Sequence, residues 1–131
     1  MKLIFGGVYQ GKLSYALTRF GVTNDDVYFC DAENANLPPS KPIFYEIDKW
    51  ILALVKADAD IIKATADFFS AHPNSVIICN DISCGVVPMD PTLRRWRDEV
   101  GRFMGQAAQI SGEVVRMYCG IPTILKGGNL S

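Results

Sequence analysis

The stretch that decides the fold is KLIFGGVYQGK, which spans residues 2–12. Its apolar beginning, residues 2–5, predicts a buried first strand that stops at two glycines. Residues 6–12 match the GxxxxGK pattern of a phosphate-binding loop. The residues that follow, 12–20, predict a helix, and Gly21 stands where a helix C-cap is expected. The segment therefore predicts a strand, a phosphate-binding loop and a helix in direct succession.

The loop pattern has a definite chemistry. Its backbone N–H groups curl around phosphate oxygens at the positive end of a helix, and the lysine ammonium reaches the β- and γ-phosphates. A nucleoside triphosphate, ATP or GTP, is the expected ligand. The alternative is a glycine-rich structural turn that binds nothing. The predicted nucleotide-binding residues are Gly6, Gly7, Val8, Tyr9, Gln10, Gly11, Lys12 and Leu13.

The pattern departs from the usual phosphate loop at Leu13. A P-loop carries Ser or Thr at this position, and the hydroxyl binds Mg²⁺. Ser14 lies about 100° further around the helix and is not expected to reach the same point. The backbone amides and Lys12 do not depend on this side chain. We therefore expect phosphate binding to persist, with a weakened Mg²⁺ site.

Strand and helix patterns alternate along the rest of the chain. Further strands are predicted at residues 27–30, 43–47, 76–79 and 114–119, and helices at residues 48–72 and 91–111. Asp48 and Asp90 are the predicted N-caps of these helices, and a short tail is expected after Gly120. The alternation predicts one α/β domain over residues 1–131 with a mostly parallel sheet. Together with the GxxxxGK loop, it predicts a P-loop nucleotide-binding domain.

Composition excludes several classes of protein. The 49% hydrophobic and 21% charged residues are typical of a globular chain, and the net charge of −1 lacks the positive field of a nucleic-acid-binding protein. No apolar run approaches the roughly 20 residues of a membrane helix, and no secretory signal is evident. The four cysteines form no zinc-binding pattern. We expect a reduced, cytoplasmic protein that binds neither nucleic acid nor a membrane.

A second group of candidate residues follows the predicted strand at 76–79. In an open α/β sheet, the loops at the carboxyl ends of the strands line the ligand crevice. Asn80 and Asp81 are therefore candidates to orient a water, a substrate hydroxyl or a metal-bound water. The alternative is a turn in which both side chains satisfy their own backbone.

Four arginines stand in the next predicted helix, interleaved with two acidic residues. They predict a solvated face with local ion pairs; the alternative is that one or two of them face a phosphate. The arginines are Arg94, Arg95, Arg97 and Arg102.

These motifs together resemble the adenosylcobinamide kinase/adenosylcobinamide-phosphate guanylyltransferase family. The similarity includes the glycine loop, the loop at residues 80–88, the run RRWRDEVGR at 94–102 and GIP at 120–122. The resemblance implies a RecA-like P-loop fold, a homotrimer, and a role in assembling the nucleotide loop of cobalamin. It assigns the nucleotide phosphates to Gly6, Gly7, Gly11 and Lys12, and it matches family positions at Asn80, Asp81, Gly85, Pro88, Arg97, Asp98 and Gly101.

The chain also departs from the family pattern. Leu13 replaces the metal-binding hydroxyl, Asp81 replaces a Glu, and Met104-Gly105 replaces Asn-Gln. The family's acidic residue before the Trp50 helix falls at Tyr45, so Glu46 is one place off and is expected on the other face of the strand. The segment whose histidine carries the guanylyl group in the family is absent, because residues 32–42 contain no histidine.

Two functions remain open from the sequence. One is a kinase that transfers a γ-phosphoryl from ATP or GTP to a cobinamide-type hydroxyl without guanylyltransferase activity, with Lys12 stabilising the charge and Asp81 as general base. The other is a non-catalytic protein that binds a nucleotide or a corrinoid. Candidate substrate or phosphate contacts are Asn80, Gly85 and Arg97.

The histidine and the cysteines are assigned mainly structural roles. His72 is expected to suit the negative end of a helix. Cys30, Cys79 and Cys119 are expected to be small buried hydrophobes. Cys84 lies in the presumed ligand loop, where the alternative is a reactive thiol.

Overall fold

A computed structural model of the protein describes residues 1–8, 10–82 and 90–127. Strands and helices alternate along the chain, with one 3₁₀ turn at Asn24–Asp26 before the second strand. The elements in chain order are β1 (Lys2–Gly6), α1 (Lys12–Phe20), β2 (Val27–Phe29), β3 (Ile43–Tyr45), α2 (Ile47–Lys56), α3 (Ile61–Ala71), β4 (Val76–Asn80), α4 (Pro91–Ile110), β5 (Glu113–Tyr118) and β6 (Ile121–Lys126).

The strands form one six-stranded sheet in the order β2-β3-β4-β1-β5-β6. The first five strands of this order are parallel, and β6 runs antiparallel to β5. The predicted α/β class with a mostly parallel sheet is therefore confirmed. Because β1 lies between β4 and β5, the strand that leads into the glycine loop is held by hydrogen bonds on both sides.

Helices cover both faces of the sheet. On one face α2, α3 and α4 bury an aromatic core that includes Trp50, Phe68 and Phe103. On the other face α1 packs Ala16 against a smaller group of strand side chains that includes Ile4. Apolar burial on both faces is what a parallel sheet requires. Within the described ranges, no helix is long and apolar enough to cross a membrane.

The single helix predicted at residues 48–72 is wrong. Helix α2 ends at Lys56, Asp58 adopts a left-handed φ of 51°, and α3 begins three residues later. Asp60 caps the second helix, since its side chain accepts a hydrogen bond from the Lys63 backbone N–H at 3.1 Å. The apolar stripe continues across the break because α2 and α3 bury their apolar faces against the same core.

The start of α2 also differs from the prediction. Strand β3 ends at Tyr45 rather than residue 47, and the N-cap is Glu46, not Asp48. Asp48 lies inside the first turn of α2 and is buried. The prediction for α4 is confirmed, because Asp90 accepts hydrogen bonds from the backbone N–H groups of Thr92 and Leu93.

The short tail predicted after Gly120 is wrong as well. Residues 121–126 form β6, which pairs with β5 through a turn at Cys119 and Gly120, where φ is 51° and 75°. Two successive positive φ values are typical of the turns that join hairpin strands. Cys119 is consequently exposed rather than buried, whereas Cys30 and Cys79 are buried as predicted.

Candidate phosphate-binding site

Gly6 marks the point where β1 turns into the glycine loop. Its φ is 157°, and a Cβ placed here would lie 2.4 Å from the backbone oxygen of Met117 on β5. On its other side, the carbonyl of Gly6 accepts a 2.8 Å hydrogen bond from the backbone N–H of Asp81. Only glycine allows β1 to approach the Met117 backbone on β5 this closely.

The loop ends at an open helix N-terminus. Gly11 is the N-cap of α1, with a left-handed φ of 82° and no side chain to bond the first-turn amides. The first N–H groups of a helix lack partners within the helix and carry its positive end. An uncapped helix N-terminus of this kind is the geometry that an anion-binding site requires, so anion binding by residues 12–14 stays a prediction.

Lys12 lies under the loop rather than in solvent. The residue is only 4% exposed, and its ammonium donates a 2.5 Å hydrogen bond to the carbonyl of Gly7. Burial lowers the pKa of Lys12, while the nearby Asp48, Cys79 and Glu46 act in the opposite direction. The ammonium is thus held across the loop against the Gly7 carbonyl.

A carboxylate and amide cluster lies at the same edge of the sheet. Asn80, at the end of β4, donates its side-chain Nδ2–H to Glu46 Oε2 at 2.9 Å and to Asp48 Oδ2 at 3.2 Å. Its backbone N–H donates to Asp48 Oδ1 at 3.1 Å. Asn80 therefore forms hydrogen bonds with Asp48 of α2 and with the N-cap residue Glu46. The alternative, a turn in which Asn80 hydrogen-bonds only its own backbone, is wrong for this residue.

The expectation that Glu46 lies on the other face of the strand is wrong. The strand has already ended, and the left-handed φ of 57° at Glu46 turns its side chain to Asn80. The other carboxylate oxygen of Glu46 forms an ion pair with Lys49 at 3.0 Å. The acidic side chains of Glu46 and Asp48 thus both lie near Lys12. The sequence pattern predicted Glu46 on the opposite face of the strand and Asp48 as a helix N-cap.

Burial controls the protonation of this cluster. It raises the pKa of Asp48, although the hydrogen bonds from Asn80 lower it in part. Burial and the negative charge of Asp48 also raise the pKa of Cys79 well above its usual range, and burial raises that of Cys30 to about 12. Both thiols are therefore protonated at neutral pH and are not nucleophiles.

Leu13 contributes packing at the position of the usual metal-binding hydroxyl. Its side chain is partly buried against the core formed by β1 and α1, and it offers no oxygen. In the part of the chain that the structure describes, no three His, Cys, Asp or Glu side chains come together to hold a metal ion.

Three arginines of α4 form ion pairs, and one of them, Arg95, reaches Asp58 in the turn between α2 and α3 at 3.2 Å. Arg97 pairs with Asp98 at 3.3 Å, and Arg102 pairs with Glu99 at 2.6 Å. The solvated-face interpretation fits these contacts, and among the described residues Arg97 forms no hydrogen bond or ion pair with the phosphate loop. The neighbouring Trp96 does reach the site, because its Nε1–H donates to the backbone oxygen of Asp48 at 2.8 Å.

The hairpin turn between β5 and β6 also contacts the loop. The backbone N–H of Cys119 donates a hydrogen bond to the side-chain oxygen of Gln10, and Gly120 lies next to Gly11. Val8 is about half exposed at the tip of the loop. No sequence pattern predicted this contact between the loop and the turn, because the β5–β6 hairpin itself was not predicted.

Some predicted residues are not part of this site. His72 is buried, with Nε2 at 2.9 Å from the backbone oxygen of Pro38 and its ring against Phe44 and Phe68, which confirms a structural role. Tyr9, Gly85, Pro88 and Cys84 lie outside the described residues. The structure thus brings together Gly6, Gly7, Gly11, Lys12, Asn80 and Asp81 at the carboxyl ends of β1 and β4.

Comparison with known proteins provides a further finding. A protein-family model described as cobinamide kinase/cobinamide phosphate guanyltransferase matches residues 43–125. The matched range begins with β3, includes Glu46, Asp48, Asn80 and Asp81, and extends into β6. It starts after β1, the glycine loop and α1, so the geometry of residues 6–12 is an observation independent of the match. Among curated proteins, none matches the chain.

Proposed function

The chain belongs to the cobinamide kinase/cobinamide phosphate guanyltransferase family, and from this premise we propose that it binds ATP or GTP at Gly6–Lys12 and phosphorylates a cobinamide-type hydroxyl. Membership of the family supports a nucleotide-dependent transfer in cobalamin biosynthesis. The observation that carries the nucleotide site is the buried ammonium of Lys12, which lies beneath the loop at the uncapped N-terminus of α1. A RecA-like P-loop fold is part of the proposal.

Lys12 and the loop amides stabilise the transferred phosphoryl group in this proposal. The acceptor hydroxyl oxygen forms a bond to the γ-phosphorus, the bond from that phosphorus to the β-phosphate oxygen breaks, and the nucleoside diphosphate leaves. The hydroxyl proton passes to the carboxylate of Asp81, which follows β4 and whose backbone N–H is bonded to Gly6. Positively charged and N–H donors act directly on the oxygens where charge develops.

The residues present do not fit a magnesium ion held in the usual P-loop manner. Leu13 supplies no oxygen, and the carboxylate oxygens of Asp48 both accept hydrogen bonds from Asn80. One oxygen of Glu46 also accepts from Asn80, and the other pairs with Lys49. We therefore assign no step to a metal bound by these side chains.

The kinase activity is proposed without guanylyl transfer. The one histidine of the sequence, His72, is buried in the aromatic core and bonded to the Pro38 carbonyl, so it does not present a nucleophile to a nucleotide. We further propose that the chain works in the cytoplasm as a homotrimer; light scattering of the purified protein checks the trimer.

A non-catalytic binding protein is the second candidate. It is favoured by Leu13, which packs in the core where a kinase needs a hydroxyl. Such a protein would retain a nucleotide or a corrinoid at the same site and release it unchanged.

A single-turnover assay separates the two candidates. Excess protein is mixed with γ-labelled nucleotide, cobinamide and Mg²⁺, and the corrinoid fraction is analysed for label. We expect labelled cobinamide phosphate from the parent chain and from Lys63→Ala, whose lysine pairs with Asp67 at the surface, and none from Lys12→Ala. Retention of nucleotide without labelled product establishes the binding protein instead. With α-labelled GTP, we expect no label on the denatured chain; a labelled band that is lost in His72→Ala contradicts the assignment.

A further inference from the structure

Two side chains of opposite charge are buried beneath the phosphate loop. Lys12 is 4% exposed and Asp48 is 3% exposed. Their hydrogen bonds go to uncharged groups, because the ammonium of Lys12 donates to the Gly7 carbonyl and the carboxylate of Asp48 accepts from Asn80. Lysine and aspartate are almost never fully buried unless they are paired. Each of these charges therefore needs a counter-charge in the interior.

The carboxylate of Asp48 is tied to β4. Residue 48 lies in the first turn of α2, where the positive end of the helix stabilises a negative side chain. Its Oδ1 accepts from the Asn80 backbone N–H at 3.1 Å, and its Oδ2 accepts from the Asn80 side chain at 3.2 Å. The backbone oxygen of Asp48 accepts from Trp96 of α4 at 2.8 Å. Contacts from β4 and α4 thus fix the position of Asp48.

Strand β4 in turn is bonded to the strand that leads into the glycine loop. In the parallel pair of β1 and β4, Gly6 lies opposite Asn80. The backbone N–H of Asp81 donates to the Gly6 carbonyl at 2.8 Å, so the end of β4 is bonded to the start of the loop. Asp48 and the phosphate loop are therefore joined through adjacent strand ends.

Electrostatics favours Asp48 as the counter-charge of Lys12. Burial lowers the pKa of Lys12, and among the groups that oppose this effect Asp48 acts most strongly, before Cys79 and Glu46. The Cys79 thiol is buried and its pKa is raised well above the usual range, so it carries no charge at neutral pH. Glu46 is partly exposed and forms an ion pair with Lys49 at 3.0 Å. Asp48 is thus the buried carboxylate that stabilises the ammonium.

Asn80 favours the ionised form of this carboxylate. Burial raises the pKa of Asp48, and the hydrogen bonds from Asn80 act against burial. Two further titratable groups adjoin the cluster, since burial raises the pKa of Cys30 to about 12 and Asp81 acts electrostatically on Cys79. The contacts thus link Asn80 to the charge of Asp48, and that charge to the ammonium.

We propose that Asp48 is a positioning residue for nucleotide binding, which acts through Lys12 by keeping the buried ammonium charged. Phosphate selects the ammonium form, because a hydrogen bond from a charged donor is stronger than one from a neutral donor. The inference rests on the proposed function for its ligand, whereas the charge of Lys12 is measured without any ligand. The inference and the proposed function therefore fail in different experiments.

The first experiment follows the ammonium of Lys12 in the ligand-free protein. The ¹³Cε signal of Lys12, identified by its absence from the spectrum of Lys12→Arg, is titrated by NMR between pH 7 and 11. Asp48→Asn removes the charge and keeps the shape of the side chain, so the midpoint of Lys12 should fall by about one pH unit. Asp67→Asn makes the same change at the surface, where Asp67 pairs with Lys63, and should keep the parent midpoint. An unchanged midpoint in Asp48→Asn overturns the inference.

The second experiment follows nucleotide affinity with pH, by calorimetric titration of ATP or GTP between pH 7 and 10. Removal of a negative charge near the phosphates raises the affinity at every pH, so the affinity at a single pH does not report the role of Asp48. The fall in affinity should begin about one pH unit lower in Asp48→Asn than in the parent and in Asp67→Asn. An equal change at every pH, with the parent's onset, gives Asp48 a structural role only and overturns the inference. A parent that binds no nucleotide contradicts the proposed function, while the ligand-free titration still decides whether Asp48 is coupled to Lys12.

A measurement on the parent chain covers the case in which Asp48→Asn does not fold. The ¹³Cγ signal of Asp48, assigned by through-bond correlation to its own backbone, responds to the charge of a neighbouring group. We expect this signal to show an alkaline inflection with the same midpoint as the ¹³Cε signal of Lys12. An Asp48 signal without that inflection contradicts the inference.

Discussion

Asn80 donates its side-chain Nδ2–H to Glu46 Oε2 at 2.9 Å and thereby joins the end of β4 to the start of α2. The same amide group reaches Asp48 Oδ2 at 3.2 Å. Because Glu46 and Asp48 are both acidic, an amide that donates to each of them holds two carboxylates together without adding a third charge. The uncharged Asn80 side chain thus fixes the positions of Glu46 and Asp48 near the ammonium of Lys12.

Asn80→Ala tests the link. Loss of the side chain leaves the buried Asp48 with an unsatisfied oxygen, so the free energy of unfolding should fall by about 1–3 kcal/mol. Denaturant unfolding of the variant against the parent measures the loss, and Asn74→Ala, at an exposed turn, serves as the control. Asn80→Asp should be destabilised more at pH 7 than near pH 4, because protonation relieves the repulsion among three carboxylates. An Asn80→Ala protein as stable as the parent contradicts this role.

Lys12 should give nucleotide binding an alkaline limit. Phosphate selects the charged ammonium, and burial lowers the pKa of Lys12 from its ordinary 10.5. Affinity should therefore begin to fall as the pH rises through a value below 10.5 and should be flat on the acid side of that value. Calorimetric titrations between pH 7 and 10 follow the fall. Lys12→Arg keeps its charge over this whole range, so a fall of the same size in this variant assigns the pH dependence to another group.

Gly6→Ala should destabilise the fold. The added Cβ would lie 2.4 Å from the backbone oxygen of Met117, and strain or overpacking of this kind costs about 1–3 kcal/mol. Gly101→Ala is the matched control, because a Cβ at this helical position meets nothing within 4 Å. It should raise the stability by up to about 1 kcal/mol. Thermal unfolding measures the stability of both variants. An unchanged unfolding midpoint for Gly6→Ala contradicts the prediction that a side chain at this position clashes with Met117.

The strand, the loop and α1 could be predicted because their signals are local. Apolar residues, glycine spacing and a terminal Gly21 each act within a few residues of their own position. Asp90 was predictable for the same reason, since a cap bonds the next two or three amides. The order of the strands and the cluster at Asn80 depend on contacts between distant segments, which a single sequence does not show.

Three errors in the predicted secondary structure have the same physical cause. Glu46, Asp58 and Cys119 adopt positive φ values that non-glycine residues rarely take. Each one ends a regular element: a strand before α2, a helix before α3 and a strand before β6. Sequence periodicity assumes that the regular backbone continues, so it carried the helix through Asp58, assigned Glu46 to the wrong face and missed the hairpin at Cys119.

Leu13→Ser should make nucleotide binding depend more strongly on Mg²⁺. The parent should bind nucleotide with nearly the same affinity in Mg²⁺ and in EDTA, because amides and Lys12 act on phosphate oxygens directly. The serine hydroxyl restores the ligand that P-loops use. Titrations of both proteins in each condition test this expectation. A parent that binds many-fold tighter with Mg²⁺, together with no change in Leu13→Ser, indicates that another oxygen, such as that of Asp81, holds the metal.

Calorimetric titration of ATP or GTP into the parent and into Lys12→Ala tests most directly whether nucleotide phosphates bind at Gly6–Lys12. Removing one charged donor from a phosphate should weaken binding by about 1.5–3 kcal/mol, while Lys63→Ala, which removes a surface lysine paired with Asp67, should bind as the parent does. We expect saturable binding to the parent and to Lys63→Ala, with that loss in Lys12→Ala. Equal affinity in all three proteins, or no binding to the parent, would contradict it.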